Sequence, residues 1–419
     1  MTAQLHLGVF YPGVGPQLIW AAPDAAPHTH IDTFINVAQT LERGLFDAFF
    51  LGEGLRVREN RGRVHDLDIA GRPDAITLLA SLAAVTDRLG LVATQNTTYN
   101  YPADLARRLA SLDLISAGRA GWNVVTTDNA WTGENFRHGG WLPHERRYER
   151  ATAFVEAAKR IWAAGGSVEI DEELIKLTAR ASQPPSPQRR PVIFQAGDSD
   201  GGRELAARHA DVVFSTNTSY EAARDYATDL RARLKKHGRG PGDVRILPGA
   251  YVVLGDTRKE AEEKDRWIRR EQTTGPRAIA YLEQFWGKDL SGYDPDGPLP
   301  DVEPTEAELD PSRGTIAIAQ RTGKLERIKA WRERNLSIRE LVIEVIPSHD
   351  AFLGTPGQVA DEWARFARDR VVDGFNLLPQ LIPGTVEDVV DRLVPELQER
   401  GVYRTEYTGT TLREHLELP

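Results

Sequence analysis

The feature that most limits how this chain can fold is a short apolar strand that follows directly on the end of a helix. It is sharpest at Ser116–Thr127. Just upstream, Leu105, Leu109, Leu112 and Ile115 recur at helical spacing, and Gly118 supplies the stop that a helix C-terminus favours. Trp122–Thr126 then reads as a strand, too brief and too β-branched for another helix. The same unit recurs. Strands are expected at Leu5–Phe10, Phe46–Leu51, Leu89–Thr94, Val192–Gln195, Asp211–Ser215, Leu247–Leu254 and Asp373–Leu378, with helical patterns between them. Strands alternating with helices predict a parallel α/β sheet.

The chain has 419 residues, more than one compact core usually needs, yet no linker divides it. A (β/α)8 barrel takes about 250 residues and carries long insertions, so one enlarged domain over 1–419 is expected. The alternation lapses at about 128–147, 165–191 and 273–322, which read as insertions. The second reads as a small hairpin outside the barrel, and the third either as a lid or as a disordered stretch. Helices are expected at Gly323–Trp331, Val359–Arg368 and Val386–Arg400, and the tail, about 403–419, as an arm packed on a neighbouring surface.

Composition narrows the chemistry. There is no cysteine, which excludes disulfides, thiolate metal sites and cysteine nucleophiles. A net charge of −9 argues against nucleic acid as a partner. No apolar run approaches the ~18 residues of a membrane span, and no signal-peptide pattern opens the chain, so a cytoplasmic protein is expected. His28 and His30 form no metal pair, because no carboxylate or cysteine stands at ligand spacing, and no metal is expected.

In a parallel α/β protein, ligands sit at the carboxyl ends of strands, and here those ends are polar. Asn123, Thr126 and Thr127 close strand four; Thr94, Asn96, Thr97 and Thr98 close strand three; Glu53 stands between Gly52 and Gly54 after strand two. Two readings of Asn123 and its threonines stand equal: they bind a ligand, or they satisfy nearby backbone groups. Phe10, Tyr11 and Trp20 either wall a substrate pocket or pack as core. The loop Arg56–Arg72 is strongly charged, and reads either as a clamp for an anion or, more commonly, as a solvated, self-paired loop. His144 and Tyr148 lie four residues apart at a helix start, hence on one face. Ser199, with Gly197, Gly201 and Gly202, precedes a helix in the manner that suits a phosphate, although Asp198 and Asp200 oppose one unless they cap the helix.

Several runs resemble the bacterial luciferase-like, flavin-dependent monooxygenases, in the branch of nitrilotriacetate, long-chain alkane and dibenzothiophene-sulfone monooxygenases. They are Thr94–Tyr99, Ser116–Thr127, Leu142–Ala151, Gln195–Ser199, Gly354–Asp361, Asp373–Leu377 and Pro395–Gly401, in the family's order. The resemblance implies a (β/α)8 TIM barrel with long insertions after strands 4 and 7 and a C-terminal arm. It implies FMN, as FMNH2 supplied by a separate NAD(P)H:FMN reductase, with O2 as co-substrate. A flavin (hydro)peroxide would then oxygenate a small organic substrate at a C–N, C–S or C–H bond. The flavin set it implies is Glu53, Thr94, Thr97, Asn123, His144, Tyr148 and Ser199, with Tyr148 and Ser199 toward the phosphate and with His144 and Asn123 nearest the chemistry. Many relatives carry aspartate where Glu53 stands. A homodimer or homotetramer is implied as well. Two alternatives share the fold: an F420-dependent oxidoreductase and a non-catalytic flavin-binding barrel. The absence of a nucleophile–base pair or a carboxylate pair fits an enzyme whose hard chemistry belongs to a cofactor.

Overall fold

Alternate residues of a strand face opposite ways, and in a closed barrel wrapped in helices both ways are buried. β1 (His6–Tyr11) shows the consequence: Leu7, Val9 and Tyr11 face the helices, while Gly8 and Phe10 face the lumen. The computed structural model describes residues 4–11, 18–19, 22–57, 59–60, 63–64, 72–304, 324–345 and 352–419. Within them β1, β2 (Ala48–Leu51), β3 (Gly90–Asn96), β4 (Ala120–Val125), β5 (Val192–Gln195), β6 (Val212–Ser215), β7 (Arg245–Ala250) and β8 (Gly374–Leu377) close a parallel barrel in chain order. This is the expected (β/α)8 architecture. Its lumen is packed: Gly8, Phe50, Phe194, Val212, Phe214 and Leu247 surround a void of only about 10 Å³. At Gly374, a Cβ would stand 1.8 Å from the His6 carbonyl oxygen, so the closing pair of strands requires glycine there.

Helices α1 (Ile31–Arg43), α2 (Ala75–Ala83), α3 (Pro102–Ile115), α4 (His144–Ala163), α5 (Asp200–His209) and α6 (Tyr220–Lys236) cover the outside. Three of the starts, those of α2, α5 and α6, are capped by a side chain. Asp74 accepts from the Thr77 N–H (2.9 Å), Ser199 from Gly202 (3.2 Å) and Ser219 from Ala222 (3.3 Å). Outside the barrel, Ser167–Asp171 and Lys176–Arg180 form the expected antiparallel hairpin.

Three expectations change in detail. Strand seven does not run to Leu254. The strand stops at Ala250, and Val252–Leu254 pairs with Phe352–Gly354 in a separate two-stranded sheet. Of the insertion expected at about 273–322, as a lid or a disordered stretch, the described part includes ordered helix. Gly275–Trp286 is a capped helix that packs with Lys324–Arg332 and Ile338–Val345 around Leu282, Trp286, Leu290 and Leu341, a small core of its own. Residues 305–323 of that insertion lie outside the described residues. The last helix starts at Gly384 and is interrupted by a π-turn at Val389–Leu393, just before Pro395. Proline has no N–H to donate to the preceding turn, and a π-turn accommodates that loss.

The tail packs beneath its own barrel. Leu412, Leu416 and Leu418 join the lumen cluster, and the Leu412 N–H donates to the Gly118 carbonyl at 3.0 Å. Two buried carboxylates fasten this floor. Asp47 meets Arg404 at 2.6 Å and His6 Nδ1 at 3.3 Å, and accepts from the Leu7 N–H at 2.7 Å. Burial would raise its pKa, but Arg404 and His6 outweigh that and hold it low. Asp211 pairs with both Nη atoms of Arg190 (2.6 and 2.9 Å) and with Arg413 (3.4 Å); against the cost of burial, these bring it to about 2. Among the described residues, the tail closes this end of the lumen, opposite the carboxyl ends of the strands.

A depressed carboxyl pKa contributes stability above the unfolded value, lost as pH falls through the folded one. Arg404→Met leaves the buried Asp47 carboxylate with only His6 and the Leu7 N–H as partners, which should cost about 3 kcal/mol at pH 7. The deficit should shrink near pH 4, where Asp47 in the variant can take up a proton. Urea midpoints at the two pH values check this; an equal deficit at both would reject the pairing as the source.

Candidate active site

At the open end, the strand termini carry short polar groups. Thr94 of β3 and Asn123 of β4 are register partners, and Asn123 Nδ2 donates to Thr94 Oγ1 at 3.1 Å. The Asn123 Oδ1 atom is buried and has no partner. Along the sheet, Gln195 Oε1 at the end of β5 and Ser215 Oγ at the end of β6 are buried and unpartnered too, as is Asp198 Oδ1 just beyond β5. An unsatisfied buried polar atom costs about 1–3 kcal/mol. Several on adjacent strand ends call for a ligand or water to satisfy them.

Glu53 stands at the end of β2, with both carboxyl oxygens toward one Asn96 Nδ2 (3.1 and 3.3 Å). Asn96 is held in turn, its Oδ1 accepting from the Tyr99 N–H at 2.6 Å. Burial pushes the Glu53 pKa up to about 7, and the Asn96 hydrogen bonds offset only part of it. The carboxyl group can therefore gain or lose a proton near neutrality.

A second group gathers where α4 meets α5. The Tyr148 hydroxyl and Ser199 Oγ lie 2.8 Å apart, and His144 packs edge-on to the Tyr148 ring at 5.5 Å. Gly201 makes the approach possible, since a Cβ there would come within 2.8 Å of the Tyr148 ring. His144 and Ser199 are exposed. The two aspartates beside Ser199 are turned away from the helix start: Asp198 Oδ2 accepts from the Thr216 N–H (3.1 Å), and Asp200 pairs with Arg233 (2.6 Å). Ser199, not an aspartate, is the N-cap. The start of α5 thus presents N–H groups and a hydroxyl without a carboxylate in front of them, as an anion requires.

The structure brings together Thr94 with Asn123, and His144 with Tyr148 and Ser199. It does not bring Thr97 to the cavity: fully buried, its N–H (2.9 Å) and hydroxyl (3.3 Å) both donate to the Val125 carbonyl, pinning β3 to β4. Tyr11 is no pocket wall. It lies on the helix side among Phe34 and Phe49, its hydroxyl on the His28 carbonyl, because alternation along β1 turns it from the lumen that Phe10 faces. Trp20 falls outside the described residues. Asn96, one of the polar residues closing strand three, enters the site as the partner of Glu53; Gln195 and Ser215 alternate with the lumen-facing Phe194 and Phe214 and so lie on the helix side of their strands. Among the described residues, no group of three or more His, Cys, Asp or Glu side chains could hold a metal ion, and no helix is long and apolar enough to cross a membrane.

A family model described as luciferase-like monooxygenase matches residues 6–404. Nitrilotriacetate monooxygenase component A of Aminobacter aminovorans is 36% identical, over 98% of this chain and 94% of its own. The crystal structure of a long-chain alkane monooxygenase superposes with a TM-score of 0.79 at 28% identity, covering 100% of this chain and 96% of that one. A riboflavin lyase solved with modified FMN and riboflavin gives 0.76 at 28% identity, covering 99% and 95%.

The raised pKa of Glu53 has a thermodynamic consequence. A carboxyl whose folded pKa lies above its unfolded value favours the fold while protonated, and loses that advantage as pH rises toward 7. Glu53→Gln should therefore raise the melting temperature at pH 8, where the wild type holds a buried carboxylate, and change it little at pH 5. Calorimetry at both pH values tests this, and an equal effect at each would contradict it.

Proposed function

From the premise that this chain belongs to the luciferase-like monooxygenase family and is an oxygenating enzyme, we propose that it is the oxygenase component of an FMNH2-dependent, two-component monooxygenase. The observation that carries the reading is the set of unpartnered buried polar atoms, Asn123 Oδ1 first, beside an anion-ready helix start at Ser199. These fit a flavin mononucleotide at both ends. Neutral amide and hydroxyl groups suit the edge of an isoalloxazine, and the α5 N-terminus with Tyr148 and Ser199 suits its phosphate.

When bound in its reduced form, the flavin supplies the electrons that activate O2 for transfer of one oxygen atom to the organic substrate. The protein's own share is positioning and exclusion of water. Asn123 and Thr94 fix the ring edge through their mutual hydrogen bond, which orients the amide so that Oδ1 faces the ligand. Tyr148 and Ser199 hold the phosphate. Glu53, poised near neutrality on Asn96, can hold or release a proton at its carboxyl oxygens without an ion pair to lock its state. His144, exposed at the entrance of the same group, is placed to exchange protons with solvent. Phe10 walls the lumen side.

Reduced flavin comes from a separate NAD(P)H:FMN reductase, and the substrate is a small organic molecule attacked at a C–N, C–S or C–H bond. Membership in a monooxygenase family weighs against F420 chemistry and against a silent flavin-binding barrel.

The double variant Tyr148→Phe, Ser199→Ala should weaken FMN binding on the order of tenfold or more, the worth of one or two charge-assisted hydrogen bonds, with the fold intact by circular dichroism. Fluorescence titration with FMN reads the loss, and an unchanged affinity rejects this phosphate site. With any NADH:FMN reductase, oxygen uptake coupled to product formation should appear for some amine, sulfur or aromatic substrate; without FMN it should vanish.

A further inference from the structure

A cavity of about 350 Å³ lies outside the barrel, between α3, α4, the hairpin strand Lys176–Arg180 and the proline-rich run that leads into β5. That volume falls within the roughly 300–1,000 Å³ of small-molecule sites. It is separate from the open end. Asp113, on its wall, accepts from the Ala120 N–H at the start of β4 (3.1 Å), and Pro191 directly precedes β5, so the cavity lies toward the amino ends of the strands. Along α4, Trp162 in the cavity stands about 20 Å from Tyr148. The wall is largely apolar. Ala106, Ile161 and Ala179 are buried, and the Trp162 indole is fixed by its N–H, which donates to the Ala106 carbonyl at 2.9 Å.

The charges around this cavity are uneven. Arg107 is answered by Asp104 at 2.7 Å. Asp113 is buried, and its carboxyl is occupied by the Ser186 hydroxyl, by Gln188 Nε2 at 2.5 Å and by the Ala120 N–H. Arg180 and Arg189 are exposed, and their guanidinium groups meet no carboxylate or carbonyl among the described residues. Exposure alone would make them ordinary surface arginines. The backbone sets Arg189 apart: its φ of 69° lies in the left-handed region that favours glycine, and only a firmly held turn keeps an arginine there. The turn is held. The Arg189 N–H donates to the Ser186 carbonyl at 2.9 Å, and Gln188 also joins the Ala120 carbonyl (2.8 Å) and the Arg413 N–H (3.2 Å). A buried carboxylate and a buried amide thus fix the loop that carries Arg189 to the rim.

Two unanswered guanidinium groups beside an apolar wall with an aromatic face match a molecule that is anionic at one end and apolar over the rest. We propose that this outer cavity is a second small-molecule site, which binds amphiphilic organic anions, with Arg180 and Arg189 on the carboxylate or sulfonate group and Ile161 and Trp162 against the apolar body. The proposal goes beyond the flavin reading of the open end and does not depend on it.

The test titrates the full chain by calorimetry with 2-naphthalenesulfonate, and with 2-naphthalenesulfonamide as its neutral counterpart. The sulfonate should bind about tenfold or more tightly than the sulfonamide. Replacing both arginines, Arg180→Gln with Arg189→Gln, should abolish that preference, and Arg180→Lys with Arg189→Lys should retain part of it. Ala110→Trp fills the cavity from α3 and leaves every charge in place; it should weaken the sulfonate by about tenfold or more. Thr178→Trp repeats the blockade from the exposed hairpin, and circular dichroism reports that each variant is folded. A sulfonate that binds no better than the sulfonamide, or a preference that survives the double glutamine variant, overturns the proposal. Sulfonate binding that neither tryptophan weakens also overturns it, and leaves the arginines as a surface charge without a pocket.

Discussion

Closure of eight parallel strands gives each strand only a few inward positions, and everything else in this molecule depends on how they are filled. Low in the barrel they are apolar: Ala48, Val92, Val212 and Leu247 interlock, and Phe50, Phe194 and Phe214 lie above them. At the carboxyl ends they change to Thr94, Asn123 and Gly52. The switch needs no boundary beyond the strand's own period. An inward position one step higher meets the mouth and not the core, so a polar residue there escapes the cost of burial only if something fills the mouth. That is why the orphaned Asn123 Oδ1 at an inward strand end is informative, where the same residue on a helix surface would say nothing.

The opposite end is shut by chemistry of another kind. A tail carrying three leucines plugs the lumen from below, and the two buried carboxylates beneath it, Asp47 and Asp211, are each matched by arginine, in part from that tail. Such pairs add little net stability, yet breaking one is expensive. They fix where the tail docks, and so which end of the barrel it covers. Site and tail lie at opposite ends of the same strands, so a defect in the floor acts on the cavity through the strands and not through contact.

The legible part of the site was the part written in local sequence. His144 and Tyr148 fall on one helix face by spacing, Ser199 caps a helix in its own segment, and Asn123 ends a strand that its neighbours define. Thr97 and Tyr11 could not be placed in this way. Whether a threonine one residue past a strand faces ligand or backbone depends on the register between β3 and β4, which puts the Val125 carbonyl within reach of it. Tyr11 is a single alternation step from Phe10, and an error of one residue in a strand exchanges core for cavity.

The alternation of short strands with helices determined the barrel, the strand order and the end at which function resides, because each follows from periodicity and from chain direction. Helix starts at Asp74 and Ser199 were written there too, in one residue each. The tertiary structure alone decided which charges face each other. Arg190 reaches Asp211 across a whole strand–helix unit, and Arg404 reaches Asp47 from the far end of the chain. No local pattern encodes such a meeting, since it depends on two loops arriving at one place in space, and the cost of an unpaired buried charge appears only once they have.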